Sequence, residues 1–158
     1  MIRGQRLGAQ GWGWLIALLM AVALWTPAGA LAEPLPPVTV YRSPTCGCCQ
    51  RWVEHLQADG FAVEVVDTTA MDAIKAQYGV PDTMASCHTA IVHRYIVEGH
   101  VPAADIRRLL AEHPPVRGIA APGMPMGSPG MESEDASDPY TVFSFTEMDN
   151  PLPFADHF

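Results

Sequence analysis

"VTVYRSPTCGCCQRWVEHLQADG", Val38 to Gly60, decides how this chain is read. It opens with a β-branched run, Val38 to Tyr41, of strand composition. It closes with Trp52, Val53 and Leu56 at helical spacing ahead of Gly60, a residue suited to the left-handed position that ends a helix. Between the two lies a turn holding Cys46, Cys48 and Cys49. A strand that feeds a helix through such a turn begins an α/β unit. It also sets the thiols at a helix N-terminus, where backbone N–H groups and the helix dipole favour thiolate.

The same signals continue downstream. "FAVEVVD", Phe61 to Asp67, reads as a second strand, and Thr69 stands where it can cap a second helix reaching about Tyr78 and closed by Gly79. "TAIV" (Thr89–Val92) and "YIVEG" (Tyr95–Gly99) are separated by only His93-Arg94 and read as a hairpin. Pro102 opens a third helix, Ala103 to Glu112, with Ile106, Leu109 and Leu110 inward, and Pro114-Pro115 stops it. The early βαβ unit implies a parallel strand pair, and the hairpin adds antiparallel strands. The fold class this predicts is α/β: a thioredoxin-like mixed sheet with flanking helices over residues 38–113. Residues 114–158 read as a Met-, Gly- and Pro-rich loop followed by a strand at Tyr140–Phe145, at the sheet edge or packed on the surface.

The N-terminus belongs to a different category. Arg3 and Arg6 precede an apolar run from Trp12 to Trp25, and small residues follow at Ala30 and Ala32. That is the pattern of a signal peptide over residues 1–32, cut before Glu33, with 33–37 as an extended leader. The apolar core is shorter than the roughly 18–20 residues of a spanning helix. The expected location is therefore the periplasm, with no membrane attachment after cleavage. The formal charge of −8 becomes more negative once Arg3 and Arg6 are removed. With no basic run, the chain is unsuited to nucleic acid or an anionic membrane surface, and it is compatible with a cation as ligand. Export also permits disulfides, so four cysteines admit a disulfide framework.

Cys46 and Cys49 have the C-x-x-C spacing of a redox pair. Cys48 complicates that reading, because a third thiolate invites scrambling and a bond between neighbours Cys48 and Cys49 would be strained. Three sulfurs on one turn suit a metal better. In the proposed layout the loop before the third strand lies beside this turn, so Cys87 and His88 of "ASCHTA" are expected to face it. Four thiolates and an imidazole exceed the needs of one tetrahedral ion. Thiolate and thioether donors select Cu(I), whereas four thiolates, or three with an imidazole, also fit structural zinc. Met124, Met126 and Met131 in "PGMPMGSPGME" favour copper as thioethers, although core packing accounts equally for any one of them. His100, beyond the hairpin, is placed to reach the same end of the sheet. Three readings stay open on the residues alone: a copper protein, a thiol–disulfide oxidoreductase using Cys46 and Cys49, and a disulfide- or zinc-stabilised scaffold.

"SPTCGCCQRWVEHL", "SCHTA", "YIVEGHVPAADIRRLL" and "GMPMGSPGME", in this order, resemble the exported CopG-type copper-resistance proteins, once catalogued as a domain of unknown function. The resemblance spans Val38 to Phe145. It implies a thioredoxin-like fold, copper bound through Cys46, Cys48, Cys49 and Cys87, and a role in copper tolerance of the bacterial periplasm. It further implies a thiolate-bridged cluster of several ions, interconversion of Cu(I) and Cu(II) by an oxidoreductase acting on copper itself, and other periplasmic copper-handling proteins as partners. His88 and His100 fall inside family motifs as further metal-site residues, with Met124 and Met126 in the loop. The chain departs from the pattern at His93-Arg94, where glycine-rich residues are expected.

Overall fold

The computed structural model describes residues 34–133, 138–147 and 150–158. The expected signal peptide lies outside these residues. Pro34–Pro37 has no regular structure, and Leu35 packs against the core.

The described elements follow the predicted order as far as the third helix. β1 (Val38–Arg42) leads into α1 (Gly47–Ala58), then β2 (Val63–Asp67), α2 (Met71–Tyr78), a 3-10 turn (Asp82–Met84), β3 (His88–Val92), β4 (Tyr95–Gly99) and α3 (Ala103–Glu112). Three further strands, β5 (Gly118–Ala121), β6 (Tyr140–Phe145) and β7 (Leu152–His157), complete one sheet of order β2-β1-β3-β4-β5-β6-β7. β1 runs parallel to β2 and β4 parallel to β5, and the remaining pairs are antiparallel. This is a thioredoxin-like mixed α/β sheet.

Alternation along the strands sorts two faces. Val38 and Val40, Ala90 and Val92, Tyr95 and Val97, Ile119 and Ala121, and Val142 form one core with Trp52, Val53 and Leu56 of α1 and Ile106 and Leu109 of α3. The buried positions of α1, Cys49, Trp52, Val53 and Leu56, recur at helical spacing, which aims Cys49 inward with the apolar stripe. Burying an aromatic such as Trp52 contributes about 3 kcal/mol or more, so the helix carrying the cysteines is firmly seated. Its indole N–H also donates to the Val101 carbonyl (2.8 Å), tying α1 to the chain entering α3. The other sheet face holds a smaller cluster of Val80, Met84, Ile96, Ala120 and Phe145, with Tyr78 of α2 beside it.

Local details refine the sequence reading. Gly60 (φ +91°) and Gly79 (φ +67°) take the left-handed positions that end α1 and α2. His93, at the first hairpin position where glycine was expected, is left-handed as well (φ +53°). Thr69 does not cap α2: the cap position is Ala70, and its N–H is accepted by the Thr68 hydroxyl (3.0 Å). β5 lies inside the stretch read as loop. Gly118 there resembles a turn signal, yet a Cβ at this position would run into the Ile96 carbonyl and the Phe145 ring. It is a close-approach glycine within a strand. β6 is interior, because β7 covers it and forms the edge.

Candidate metal centre

The sheet register brings the cysteines together. Arg42, the last residue of β1, stands opposite His88, the first of β3. The chain leaving β1 toward Cys46 therefore runs beside the chain that enters β3 from Cys87. Cys46 caps α1 in an extended conformation (φ −80°, ψ 96°), and its sulfur accepts from the Cys49 N–H at 3.3 Å. Cys48 Sγ lies 3.4 Å from Cys46 Sγ, and Cys87 Sγ lies 3.5 Å from Cys49 Sγ. The sulfurs of Cys46, Cys48, Cys49 and Cys87 all fall within 4.8 Å of one another. Cys46 and Cys49 are joined in a disulfide, and Cys48 and Cys87 are free thiols.

A second donor group shares Cys87. Its sulfur is 3.4 Å from His88 Nδ1 and 3.0 Å from His100 Nε2, and donor atoms of these three residues also lie within 4.8 Å of each other. His100 Nδ1 stands 2.7 Å from the Pro129 carbonyl. A carbonyl only accepts, so Nδ1 carries the proton and Nε2 turns its lone pair toward Cys87, the tautomer a metal ligand needs. His88 is fully buried between Trp52 (ring centroids 4.3 Å) and His100 (5.0 Å). Its Nε2 is a buried polar atom with no hydrogen-bond partner among the described residues.

Burial disfavours charge on Cys87, His88 and His100. Burial first, and then the adjacent Cys48, pushes the Cys87 thiol up to about 12. Desolvation holds both imidazoles below the usual histidine range, His88 well below it, where the charges of His100 and Lys75 add to the effect. Neutral imidazoles and protonable thiols are what a soft cation displaces protons from. The donor chemistry fits a thiophilic metal ion, and an orphaned nitrogen beside it leaves polar capacity unused.

The Met-rich segment closes over this end of the molecule. Residues 125–131 form a compact turn, with Gly127 N–H donating to the Met131 carbonyl (2.9 Å) and Met131 N–H to the Ser128 carbonyl (2.8 Å). The turn meets the site through its backbone. Pro129 orients His100, Arg51 of α1 donates to the Gly130 carbonyl (3.0 Å), and a Cβ at Gly130 would stand 2.7 Å from the Cys48 carbonyl. Met124 is 53 % exposed at the outer part of the segment, and Met126 and Met131 are half-buried. His55 is an acceptor for the Ala103 N–H at the start of α3 (3.1 Å), and His157 pairs with Asp105 (2.8 Å), so both serve the scaffold.

Pro129, Gly130, Glu98 and Lys75 were not singled out in the sequence. Only Glu98 carried a signal there: a carboxylate in an otherwise apolar strand, "YIVEG", all of whose residues are buried.

Fold and donors together define a thioredoxin-like domain with a thiol–imidazole centre suited to a metal ion. Two solved structures share its architecture, both described as copper resistance protein CopG, Form 2 and Form 1. Each is 46 % identical to this chain with a TM-score of 0.74, and each match covers 79 % of this chain and 99 % or 98 % of the other. A family model described as "Protein of unknown function, DUF411" matches residues 84–131, the part holding Cys87, His88, Glu98, His100 and the Met-rich turn. The chain belongs to this DUF411 family of CopG-type proteins. No functionally curated protein matches it.

Proposed function

We propose that this chain is an exported copper-binding protein of copper resistance, which holds several copper ions as cargo between Cys46, Cys48, Cys49 and Cys87, with His88 and His100 completing the site. The observation that carries this reading is the position of Cys87, whose sulfur belongs to both donor groups. A thiolate shared in this way can bridge ions, so a few sulfurs serve more than one Cu(I). The thiol-rich side suits Cu(I), and the side with two imidazoles tolerates Cu(II). Such a pairing supports interconversion of the two states within one site. Met124 and Met126, on the covering segment, are thioether donors suited to admitting Cu(I) from solvent. Cleavage before Glu33 would release the domain into the periplasm, where other copper-handling proteins are its natural partners.

The Cys46–Cys49 bond gives the redox reading a definite stoichiometry. Oxidising this dithiol to the disulfide yields two electrons and two protons, enough to reduce two Cu(II) to two Cu(I). It also removes two thiolate ligands from the site, and restoring them takes a dithiol reductant. The same bond favours a second reading, a thiol–disulfide oxidoreductase acting through Cys46 and Cys49. One experiment separates the two. Metal-free protein is prepared anaerobically in dithiol and in Cys46–Cys49 disulfide form, titrated with Cu(I), and assayed for reduction of a model disulfide. More than one copper per reduced chain, at most one per oxidised chain, and negligible disulfide turnover are the expected outcomes. Robust turnover without copper uptake would favour the oxidoreductase.

A further inference from the structure

Glu98 is the least expected residue in the sheet. It is a carboxylate with no exposed surface, in a strand that is otherwise apolar and buried throughout. It faces away from the thiols, on the sheet face opposite His88, so it is not a candidate ligand. Its partners explain its presence. Oε1 accepts the Ser86 N–H (2.7 Å) and the Lys75 ammonium of α2, and Oε2 accepts the Thr89 hydroxyl (2.7 Å). Lys75 also donates to Thr89 Oγ1 at 3.1 Å. One carboxylate thus grips Ser86 and Thr89, the residues on either side of Cys87 and His88.

That grip falls where the sheet ladder ends. The β3–β4 register begins at Thr89 opposite Glu98, so Ser86 and Cys87 lie beyond its last pair. The carboxylate takes the place of the missing strand partner for the Ser86 N–H. Ser86 is fixed from the other side as well: its hydroxyl donates to the Gly123 carbonyl, and a Cβ on Gly99 would meet its side chain at 2.5 Å. A buried ion pair is a poor source of stability compared with apolar residues of similar volume. Burial pushes the Glu98 carboxyl upward despite Lys75, the direction expected of a group that costs stability where it sits. A costly charge that grips both ends of the segment holding two metal-site donors, with a cation that also donates to Thr89, serves position.

We infer that Glu98, held by Lys75, is a positioning residue that fixes Cys87 and His88 opposite the α1 cysteines, and that this juxtaposition of donors fails without it. The inference rests on the copper reading for its consequence, though not for its test in metal-free protein. Two variants are compared with the natural chain. Glu98→Gln removes the charge and one acceptor. The double variant Lys75→Met with Glu98→Leu removes the whole polar clamp while leaving an apolar, foldable face. In metal-free protein with the Cys46–Cys49 bond intact, alkylation of Cys87 is followed relative to Cys48 by peptide mapping, alongside thermal unfolding. Cu(I) affinity of the reduced proteins is then measured against a chromophoric chelator.

In the double variant, thermal stability is expected to match or exceed that of the natural chain. Its Cys87 is nonetheless expected to alkylate about tenfold faster, and Cu(I) affinity to fall by about the 10–100-fold typical when the outer partner of a metal ligand is lost. Glu98→Gln falls between the two. Natural Cys87 reactivity and natural copper affinity in a stable double variant would overturn the inference and leave the pair purely structural. If the natural chain takes up no copper, the functional reading falls while the alkylation ratio still decides the role of Glu98.

Discussion

The two sides of the candidate metal centre are built in opposite ways. On one side, three cysteines within four positions are presented by a single helix end, and their placement follows from the helix alone. On the other, Cys87, His88 and His100 come from the start of one strand and the chain beyond the next. They converge only because the β1–β3 register sets Arg42 opposite His88 and because Glu98 and Pro129 hold the chain on either side. The helix side can form locally, whereas the strand side exists only once the sheet has formed. Substitutions on the helix side should therefore change donor number, and substitutions around the strand side should change geometry while leaving the fold in place.

The Met-rich turn touches both sides, so disturbing its seat should affect both. Gly130 has φ +83°, and a Cβ there would stand 2.7 Å from the Cys48 carbonyl and 2.8 Å from the Trp52 nitrogen. Gly130→Ala is expected to cost about 1–3 kcal/mol through backbone strain. The turn should lift from α1 and take the Pro129 carbonyl away from His100. Thermal unfolding checks the first effect, and the rate at which a chelator strips bound copper checks the second: faster stripping is the expected result.

A smaller effect concerns pH. In the metal-free form with Cys46 and Cys49 bonded, the Cys87 thiol is raised to about 12, chiefly by burial. Its folded value lies above its ordinary value near 9, so the folded state retains this proton after the unfolded chain has lost it. Stability from this group is complete below about pH 9 and declines as pH rises from there toward 12. Alkylation of Cys87, read by peptide mapping, should keep accelerating beyond about pH 10, where an ordinary thiol is almost fully ionised and its rate levels off. Levelling off at about pH 10 would place Cys87 in a more solvated setting.

The same division explains what the sequence disclosed. The helix side was legible: Trp52, Val53 and Leu56 mark the stripe, Gly60 marks its end, and the cysteines precede them. The pairing of "SCH" with that turn followed from the predicted strand order, which the register bears out. β5 was hidden because Gly118–Ala121 is buried on both faces and, apart from Ile119, built of small residues, so it shows no alternation and its glycine mimics a turn. β7 was hidden by Pro151 and Pro153, residues that ordinarily mark loops and that an edge strand tolerates. Glu98 could be noticed in the sequence as a charge in an apolar strand, but its partners Ser86, Lys75 and Thr89 are set by tertiary packing. Pro129 acts through a carbonyl that every residue has, and no sequence pattern distinguishes it.

In the function proposed above, the two sides form one site joined at Cys87. Copper per chain, measured on reduced protein loaded and desalted without oxygen, tests it most directly when natural chain, Cys48→Ser and Cys87→Ser are compared. More than one copper is expected in the natural chain and a loss in Cys87→Ser at least as large as in Cys48→Ser, because removing a shared sulfur empties both donor groups. Natural stoichiometry in Cys87→Ser would contradict it, leaving the α1 cysteines to bind metal on their own.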